Sequence, residues 1–207
     1  MLHIRAKTSD LSRCRERASV VLRRSERGRA MAVQIGARPD KGFDDPIGLL
    51  KDCHRRIEKF LAIFGKVAAQ ARGRNLTAEE RSAIEASMRY FEQSGPRHSA
   101  DEEDSLFPRL RVFAGPHNLE KIAALEHQHH IASGLHEEVE HLYKAWILDG
   151  ALTPLQQELL KSDCGELSHI YKEHIQTEED AVFPLAEEFL DEKAIAEMAD
   201  EFRARRS

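Results

Sequence analysis

The sequence predicts an all-α fold: an up-down-up-down four-helix bundle with a short C-terminal helix and a flexible, basic N-terminal arm. Three observations indicate this class. Apolar residues recur at three- and four-residue steps through four long segments, which is the period of an amphipathic helix. Short connections that carry capping residues, glycine or proline separate these segments. No stretch alternates apolar and polar residues over the length of a strand, so a sheet is not expected.

The first two helices have well-marked boundaries. Asp45, followed by proline, predicts an N-cap and a first turn, and the apolar stripe behind it continues to about Arg72. Residues 77–80 form a capping box that opens the second helix. The Gly-Pro pair at 95–96 predicts a kink, after which this helix resumes towards Leu110.

Similar signals mark the remaining helices. A Gly-Pro pair at 115–116 precedes the third helix, which runs to Trp146 and ends before the Asp-Gly pair at 149–150. A Thr-Pro pair at 153–154 opens the fourth helix, and residues 187–203 form a short amphipathic tail. Because long amphipathic helices joined by short connections pack as antiparallel neighbours, these elements predict a bundle.

Composition excludes several classes of protein. The chain has 207 residues, enough for one sizeable core, and a net charge of −5 that argues against a general nucleic-acid-binding surface. No apolar run approaches the roughly 20 residues of a transmembrane helix, so we expect neither nucleic acid nor a membrane as partner. Three cysteines without a CxxC spacing argue against a disulfide framework and favour a reducing, cytoplasmic location.

The charge is unevenly distributed along the chain. Residues 1–30 hold nine basic and three acidic residues, a net of +6, which leaves 22 basic and 33 acidic residues, a net of −11, for the remainder. Apolar residues are dispersed between positions 1 and 42, so we expect a disordered basic arm there and a bundle with its C-terminal helix over 43–207. The alternative is that translation starts at Met31 and that the preceding residues are not part of the protein.

An internal repeat in the second and fourth helices carries the chemistry. Residues 98–108 read HSADEEDSLFP, and residues 174–184 read HIQTEEDAVFP. The shared pattern is H-x3-E-E-D-x-[LV]-F-P, with a tyrosine upstream of each copy. A repeat on this scale indicates two similar helical hairpins related by a pseudo-twofold axis.

The histidine and the first glutamate of each copy are predicted to face the core. Residues four apart share a helix face at a separation of about 6 Å, which pairs His98 with Glu102 and His174 with Glu178. Both pairs fall within the arc of the apolar stripe of their helix. A buried glutamate is costly unless it is paired or binds a metal, and no lysine or arginine lies on these faces. The repeat therefore favours a metal site.

The other two helices supply further candidate ligands. His54 projects inward at the edge of the apolar stripe of the first helix. The third helix carries a histidine-rich run at 126–130, in which His127 is the best candidate, His130 is the alternative and His129 is expected on the surface. Mixed imidazole and carboxylate donors suit iron, and paired glutamates can bridge two ions. We expect the remaining histidines to be ordinary exposed imidazoles: His3, His117, His136, His141 and His169.

Together these residues resemble the hemerythrin-like, HHE cation-binding family. The resemblance rests on the doubled H-x3-E-E-x2-[LV]-F-P motif, on Asp45-Pro46 leading to His54, and on Glu126-His127, and it spans about residues 45–190. It implies a four-helix bundle with a non-haem centre of two iron ions that binds O2, NO or peroxide. Glu102 and Glu178 would be the bridging carboxylates. By position, the family's ligand roles fall on His54, His98, Glu102, His127, His174 and Glu178.

The third helix departs from the animal oxygen carriers of this family. Those carriers place two histidines four residues apart there, whereas Ile131 stands four residues after His127 and Gly134 four residues after His130. One metal is therefore expected to have fewer imidazole ligands. The pattern fits the regulatory or stress-related bacterial branch of the family better than the dedicated carriers.

Two other classes of function stay open at the level of sequence. Ferritin-like carboxylate proteins, which handle iron or peroxide, use E-x-x-H pairs, and the chain has such pairs at 138–141 and 166–169, both pointing away from the core. The other class is a metal-free helical interaction module whose basic arm grips an acidic partner. No nucleophile arrangement or phosphate-binding loop occurs, so a binding protein is favoured over an enzyme, with turnover of peroxide or NO left open.

Overall fold

The computed structural model describes residues 41–207, so the predictions for the basic arm up to residue 40, and for a start at Met31, lie outside the described residues. Within this range the chain forms α-helices and two π-helical segments, and it contains no strand. In chain order they are α1 (Pro46–Ala71), α2 (Ala78–Ala100), π1 (Asp101–Leu106), α3 (Phe107–Arg111), α4 (Pro116–Asp149), α5 (Pro154–Thr177), π2 (Glu178–Val182), α6 (Phe183–Phe189) and α7 (Glu192–Ala204).

The four long helices pack as a closed bundle. α1 contacts α2 and α5, and α4 contacts the same two helices, so each long helix has two long neighbours. This arrangement confirms the predicted all-α four-helix bundle. In the part of the chain that the structure describes, no helix has the length and apolar character needed to cross a membrane.

Capping residues define the helix starts where the sequence predicts them. The Asp45 side chain accepts a hydrogen bond from the backbone N–H of Gly48 at 2.9 Å and caps α1. Reciprocal capping boxes open α2 at Thr77 and α5 at Thr153. α1 ends at Ala71, and the C-cap residue Arg72 adopts a left-handed conformation with φ 49°. Local hydrogen bonding therefore fixes where the long helices begin and end.

Both copies of the repeated motif contain a π-helical turn, which the spacing of the sequence does not predict. α2 continues through Pro96 and passes directly into π1, and α5 passes directly into π2. In each copy the motif phenylalanine donates its backbone N–H to the carbonyl of the first glutamate, Phe107 to Glu102 and Phe183 to Glu178. Such a five-residue step adds a residue to the turn and redirects every side chain that follows.

Two apolar clusters fill the interior on either side of a polar layer. Along α1, for example, His54 lies between Leu50 of one cluster and Ile57 of the other. The first cluster is rich in aromatic side chains, including Phe60, Phe64, Phe91, Tyr143 and Trp146. The second contains Leu106, Phe107, Phe183, Met198 and Phe202. The polar layer is therefore enclosed by apolar packing along the bundle.

The predicted amphipathic tail, residues 187–203, spans the end of α6 and most of α7. The Asp191 side chain caps α7 by accepting from the backbone N–H of Ala194 at 2.8 Å. Met198 and Phe202 are fully buried, and α7 packs against α1 and π1. The tail thus covers the first copy of the repeated motif.

Candidate metal centre

The polar layer of the bundle consists of histidine and glutamate side chains from all four long helices and their π turns. Glu102 and Glu178 are both 0% exposed, and the histidine side chains are at most 8% exposed. Ionisable groups this deeply buried are rare in proteins unless they are paired or bind a metal. The set is His54 on α1, His98 near the end of α2 with Glu102 in π1, His129 on α4, and His174 near the end of α5 with Glu178 in π2.

Glu102 faces histidines from three helices. Its Oε1 lies 3.2 Å from Nε2 of His98 and 3.9 Å from Nε2 of His54. Its Oε2 lies 3.2 Å from Nε2 of His129. The two oxygens of this carboxylate therefore point towards two different groups of imidazoles.

Glu178 occupies the equivalent position in the second copy of the motif. Its Oε2 lies 2.9 Å from Nε2 of His54 and 3.3 Å from Nε2 of His174. The ligand-type atoms of His54, His98, Glu102 and Glu178 all lie within 4.8 Å of one another, and so do those of Glu102, His129 and His174. The layer thus offers two adjacent metal-binding groups, and Glu102 belongs to both.

Many of the converging atoms have no hydrogen-bond partner. Among the described residues, the buried side-chain atoms without one are His54 Nε2, His98 Nδ1 and Nε2, and both carboxylate oxygens of Glu102 and of Glu178. Several of them nonetheless face one another closely: Nε2 of His54 lies 2.9 Å from Oε2 of Glu178 and 3.9 Å from Oε1 of Glu102. Leaving a buried polar atom unsatisfied costs about 1–3 kcal/mol, and more for a charged group. Cations placed among these atoms would satisfy them, so the residues fit a metal centre.

The outward-facing nitrogen of three histidines is held by a second polar side chain. Nδ1 of His54 lies 2.9 Å from Oε1 of Glu179, and Nδ1 of His129 lies 2.6 Å from Oε1 of Glu103. Nδ1 of His174 lies 3.2 Å from Oε1 of Gln128. A histidine that donates from Nδ1 presents the lone pair of Nε2 inward, which is the form that a metal ligand requires.

The ionisable groups of the layer have pKa values that are shifted in opposing directions. Burial raises the pKa of Glu102 well above its usual value, and the nearby charge of Glu178 raises it further. Burial would lower the pKa of His54, but the adjacent carboxylates Glu178, Glu102 and Glu179 raise it to about 9. Burial lowers the pKa of His98 well below its usual range. The groups thus have conflicting protonation preferences, which positive charge from metal ions would relieve.

The structure brings together five of the six side chains predicted from the sequence. His54, His98, Glu102, His174 and Glu178 all lie in the layer. His127 does not, because its side chain is exposed on the outer surface of α4, and His130 is exposed as well. The α4 side chain in the layer is His129, so the expectation that His129 lies on the surface was wrong.

The error on α4 arises from the choice of apolar stripe. The preference for His127 follows from helical angles taken relative to Leu135 and Leu142, and these leucines lie at the edge of the buried face of α4. The centre of that face is the heptad-spaced series Leu125, Ala132, Val139 and Trp146, whose members are all buried. At about 100° per residue, His129 lies about 60° from Ala132, whereas His127 lies about 140° away on the other side. The heptad series was the signal that could have identified His129.

His136 also differs from expectation. It was predicted to be an ordinary exposed imidazole, but it is half-buried, and its Nε2 lies 3.2 Å from the hydroxyl of Tyr171. Burial lowers the pKa of His136 to about 4. His117, His141 and His169 are exposed, as expected, and His3 lies outside the described residues.

The fold and the buried layer define the class of protein as a four-helix bundle with a histidine- and glutamate-rich metal site. The family model for the hemerythrin HHE cation-binding domain matches residues 45–186, and the chain belongs to this family. A comparison with curated proteins gave no match. Membership of a cation-binding family and the two buried groups of ligand-type atoms together indicate a metal-binding protein.

Proposed function

We propose that this protein binds two non-haem iron ions between its four long helices and uses them to bind O2, or a related small ligand such as NO or peroxide, reversibly. The proposed ligands keep five of the predicted residues and replace His127 by His129. They are His54, His98, Glu102, His129, His174 and Glu178. Such a centre would serve sensing, storage or scavenging of the ligand.

The observation that carries the proposal is the convergence of buried polar atoms that have no hydrogen-bond partners. Two histidine–glutamate pairs held only by structural hydrogen bonds would orient their atoms towards each other. Here both oxygens of Glu102 and both of Glu178 lack such bonds, although imidazole nitrogens stand 2.9–3.9 Å away. Atoms arranged in this way satisfy a common central cation better than they satisfy one another.

The donor set favours iron over other metals. It combines four imidazoles with two carboxylates that reach both groups, a mixture that suits iron and allows a carboxylate to bridge two ions. Thiolate donors, which would favour zinc or copper(I), are not among the converging atoms. The sulfur of Cys53, although next in sequence to His54, accepts a hydrogen bond from Arg56 at 3.2 Å instead.

The chain's own residues would control access to the centre. Phe183 stacks on the ring of His54 with centroids 5.4 Å apart, and Phe107 lies parallel to the ring of His129 at 6.5 Å. Both phenylalanines are fully buried and close the layer on the side of the second apolar cluster. Reduced iron supplies the electron-rich site that O2 or NO requires, and the apolar surroundings limit water and proton access so that ligand release can compete with decay.

The test is metal analysis combined with optical spectroscopy. Purified protein should contain about two iron ions per chain, and the reduced protein should develop a visible charge-transfer spectrum on exposure to O2. Deoxygenation should then restore the original spectrum. Protein that takes up no iron under reducing conditions would refute the proposal and favour the metal-free interaction module.

The same experiment separates the proposal from a ferritin-like centre. The two E-x-x-H pairs that such a centre would use are exposed at every ligand position: Glu138, His141, Glu166 and His169. Because they lie outside the buried layer, they give the ferritin-like alternative no structural support. A histidine-rich centre and a carboxylate-rich centre also give different charge-transfer bands, so the spectrum distinguishes the two.

A further inference from the structure

The two metal-binding groups have the same number and kind of donors. Each takes two imidazoles from one helical hairpin, so they form a His54–His98 group on α1 and α2 and a His129–His174 group on α4 and α5. Both ligand glutamates face both groups: Oε2 of Glu178, for example, lies 2.9 Å from Nε2 of His54 and 3.3 Å from Nε2 of His174. A difference in metal affinity between the groups must therefore come from outside the donor set.

In the His129–His174 group, both imidazoles are held on their outer side. Nδ1 of His129 lies 2.6 Å from a carboxylate oxygen of Glu103. Nδ1 of His174 lies 3.2 Å from the amide oxygen of Gln128. Both rings can therefore donate from Nδ1 and present the lone pair of Nε2 to a metal ion in a fixed orientation.

In the His54–His98 group, only one imidazole is held in this way. Nδ1 of His54 lies 2.9 Å from Oε1 of Glu179. Nδ1 of His98 is buried from solvent and has no hydrogen-bond partner among the described residues. When His98 presents the lone pair of Nε2 to a metal ion, the ring proton stays on Nδ1, so the ligand form of this ring leaves a buried donor unsatisfied.

The arrangement of the two hairpins indicates which side chain could hold His98. Gln128 directly precedes the α4 histidine of the layer, and Cys53 directly precedes the α1 histidine. Cys53 therefore occupies in the first hairpin the position that Gln128 occupies in the second. Its sulfur, a weak acceptor, instead accepts a hydrogen bond at 3.2 Å from Arg56, one turn later in the same helix. Residue 53 thus leaves His98 without the contact that His174 receives.

A partner on the outer nitrogen of a ligand histidine contributes to metal affinity. It fixes the orientation of the ring and makes the inward nitrogen more basic, and its removal typically lowers metal affinity by about 10–100-fold. Since the donors of the two groups are otherwise alike, this one contact is expected to decide which group binds the first ion.

We infer that the centre loads in order. The first iron ion binds tightly in the His129–His174 group, the second binds exchangeably in the His54–His98 group, and the side chains of Gln128 and Cys53 set the difference. This inference rests on the proposed function, since it concerns the same two ions. The chain with one ion is accordingly the form expected when iron is scarce, and the pair is completed only when iron is abundant.

The first experiment locates the first ion. Apo protein that receives one molar equivalent of iron(II) without O2 is crystallised, and anomalous diffraction gives the occupancy of each position. A tenfold difference in affinity between independent sites should place about three times as much iron in the His129–His174 group as in the other group. Two equivalents should fill both. Equal occupancies at one equivalent, or more iron between His54 and His98, would overturn the inference.

The second experiment removes the contact from the tighter group. Gln128→Met keeps the size of the side chain but deletes the acceptor for His174. In competition with a chelator, it should release the slower of the two ions about tenfold faster and leave the release of the other ion unchanged. Gln93→Met, at an exposed glutamine of α2, is the matched control and should release both ions at the original rates. Unchanged release from Gln128→Met would contradict the role given to this contact.

The third experiment adds the contact to the weaker group. Cys53→Gln gives α1 the side chain that α4 has at the equivalent position, and it should slow the release of the faster ion relative to Cys53→Ala. Because residue 53 is buried, the smaller change Cys53→Asn repeats the test with less demand on packing. If both amide variants release that ion as fast as Cys53→Ala does, residue 53 does not set the difference and the inference fails.

These outcomes separate the two proposals. A chain that takes up no iron would refute the di-iron function and the order of loading with it. A chain that binds two iron ions with equal occupancy at one equivalent, and whose release is unaffected by Gln128→Met, would preserve the function and refute the order of loading alone.

Discussion

The two copies of the repeated motif place the same two side chains in the buried layer but are supported differently. In both, a histidine and a glutamate four residues apart enter the buried layer, and a π turn follows. The residue before the ligand glutamate differs: it is Asp101 in the first copy and Thr177 in the second. Asp101 is 0% exposed and forms ion pairs with Arg205 and Arg206. The placement of the buried pair is thus the same in both copies, whereas the residues that support it differ.

The support of the second copy is local. The hydroxyl of Thr177 donates to the backbone carbonyl of Glu173 at 2.8 Å, one turn earlier in the same helix. In the first copy, by contrast, the arginines come from the C-terminal end of α7, about a hundred residues away in sequence. The first copy therefore depends on tertiary packing of the C-terminal helix, and the second copy does not.

Each motif also contacts a histidine of the other helical hairpin, where one hairpin is α1 with α2 and the other is α4 with α5. The second glutamate of the first copy, Glu103, contacts His129 on α4, and the second glutamate of the other copy, Glu179, contacts His54 on α1. Each hairpin thus orients a histidine that the other supplies. The two adjacent glutamates of each copy thus have different positions: the first enters the buried layer, and the second contacts a histidine from across the bundle.

The largest expected effect comes from removing a shared carboxylate. Glu178→Ala and Glu102→Ala should each abolish binding of at least one iron ion, because each glutamate contacts histidines of both groups. Helix propensity improves slightly on such a change, so loss of the fold is not the expected cause. Iron content per chain is the measurement, with Asp180→Ala, exposed in π2, as the control. Two irons with an unchanged spectrum in Glu178→Ala would show that the ligand assignment is wrong.

Removal of the metal should be the next largest effect. Metal that binds only the folded chain stabilises it by mass action, by about 4 kcal/mol when free metal exceeds the dissociation constant a thousandfold. For a domain of this size, that corresponds to a melting temperature lower by roughly 8–16 °C in the apo protein. Calorimetry of iron-loaded and chelator-treated protein tests this. Identical melting temperatures would mean that the unsatisfied atoms of the layer do not depend on a cation.

Because the two copies are supported differently, we expect mutations of the supporting residues to lower the free energy of unfolding by different amounts. Arg205→Ala combined with Arg206→Ala leaves the Asp101 carboxylate buried without its ion-pair partners, which should destabilise the protein by about 3 kcal/mol. Thr177→Val removes one hydrogen bond at the edge of the second copy and should cost only about 1 kcal/mol. Urea denaturation of both variants measures the two free energies of unfolding. Adding Asp101→Asn to the double arginine variant should recover part of the lost stability. Equal losses of stability in the double arginine variant and in Thr177→Val would contradict the inference that the two copies are supported differently.

The features of the fold and site that could be predicted from the sequence are those encoded by residues close together in the chain. The pairs His98–Glu102 and His174–Glu178 lie within single helices, before each π turn begins or at its first residues, so four-residue spacing sufficed to place them. His129 was missed because the face that α4 buries is decided by its neighbours, and Leu135 and Leu142 at its edge looked like its centre. The π turns and the contacts of Asp101 with α7 were missed because no spacing rule encodes them.

The smallest expected effect tests the reciprocity of the motifs. Glu103→Gln and Glu179→Gln keep the size of each side chain but weaken its hold on Nδ1 of His129 and of His54. Loss of such a partner typically lowers metal affinity by about 10–100-fold, so each variant should retain iron less well than the unmodified chain in competition with a chelator. Asp104→Asn, an exposed carboxylate in π1 that contacts neither histidine, is the matched control.

Because each glutamate acts on one group only, Glu103→Gln should alter metal release from the group that contains His129, and Glu179→Gln should alter metal release from the group that contains His54. Chelator kinetics with two resolved phases, each slowed or accelerated by a different variant, would support this division. A single phase accelerated equally by both variants would show that the two groups release metal together and that the reciprocal contacts stabilise the centre as one unit.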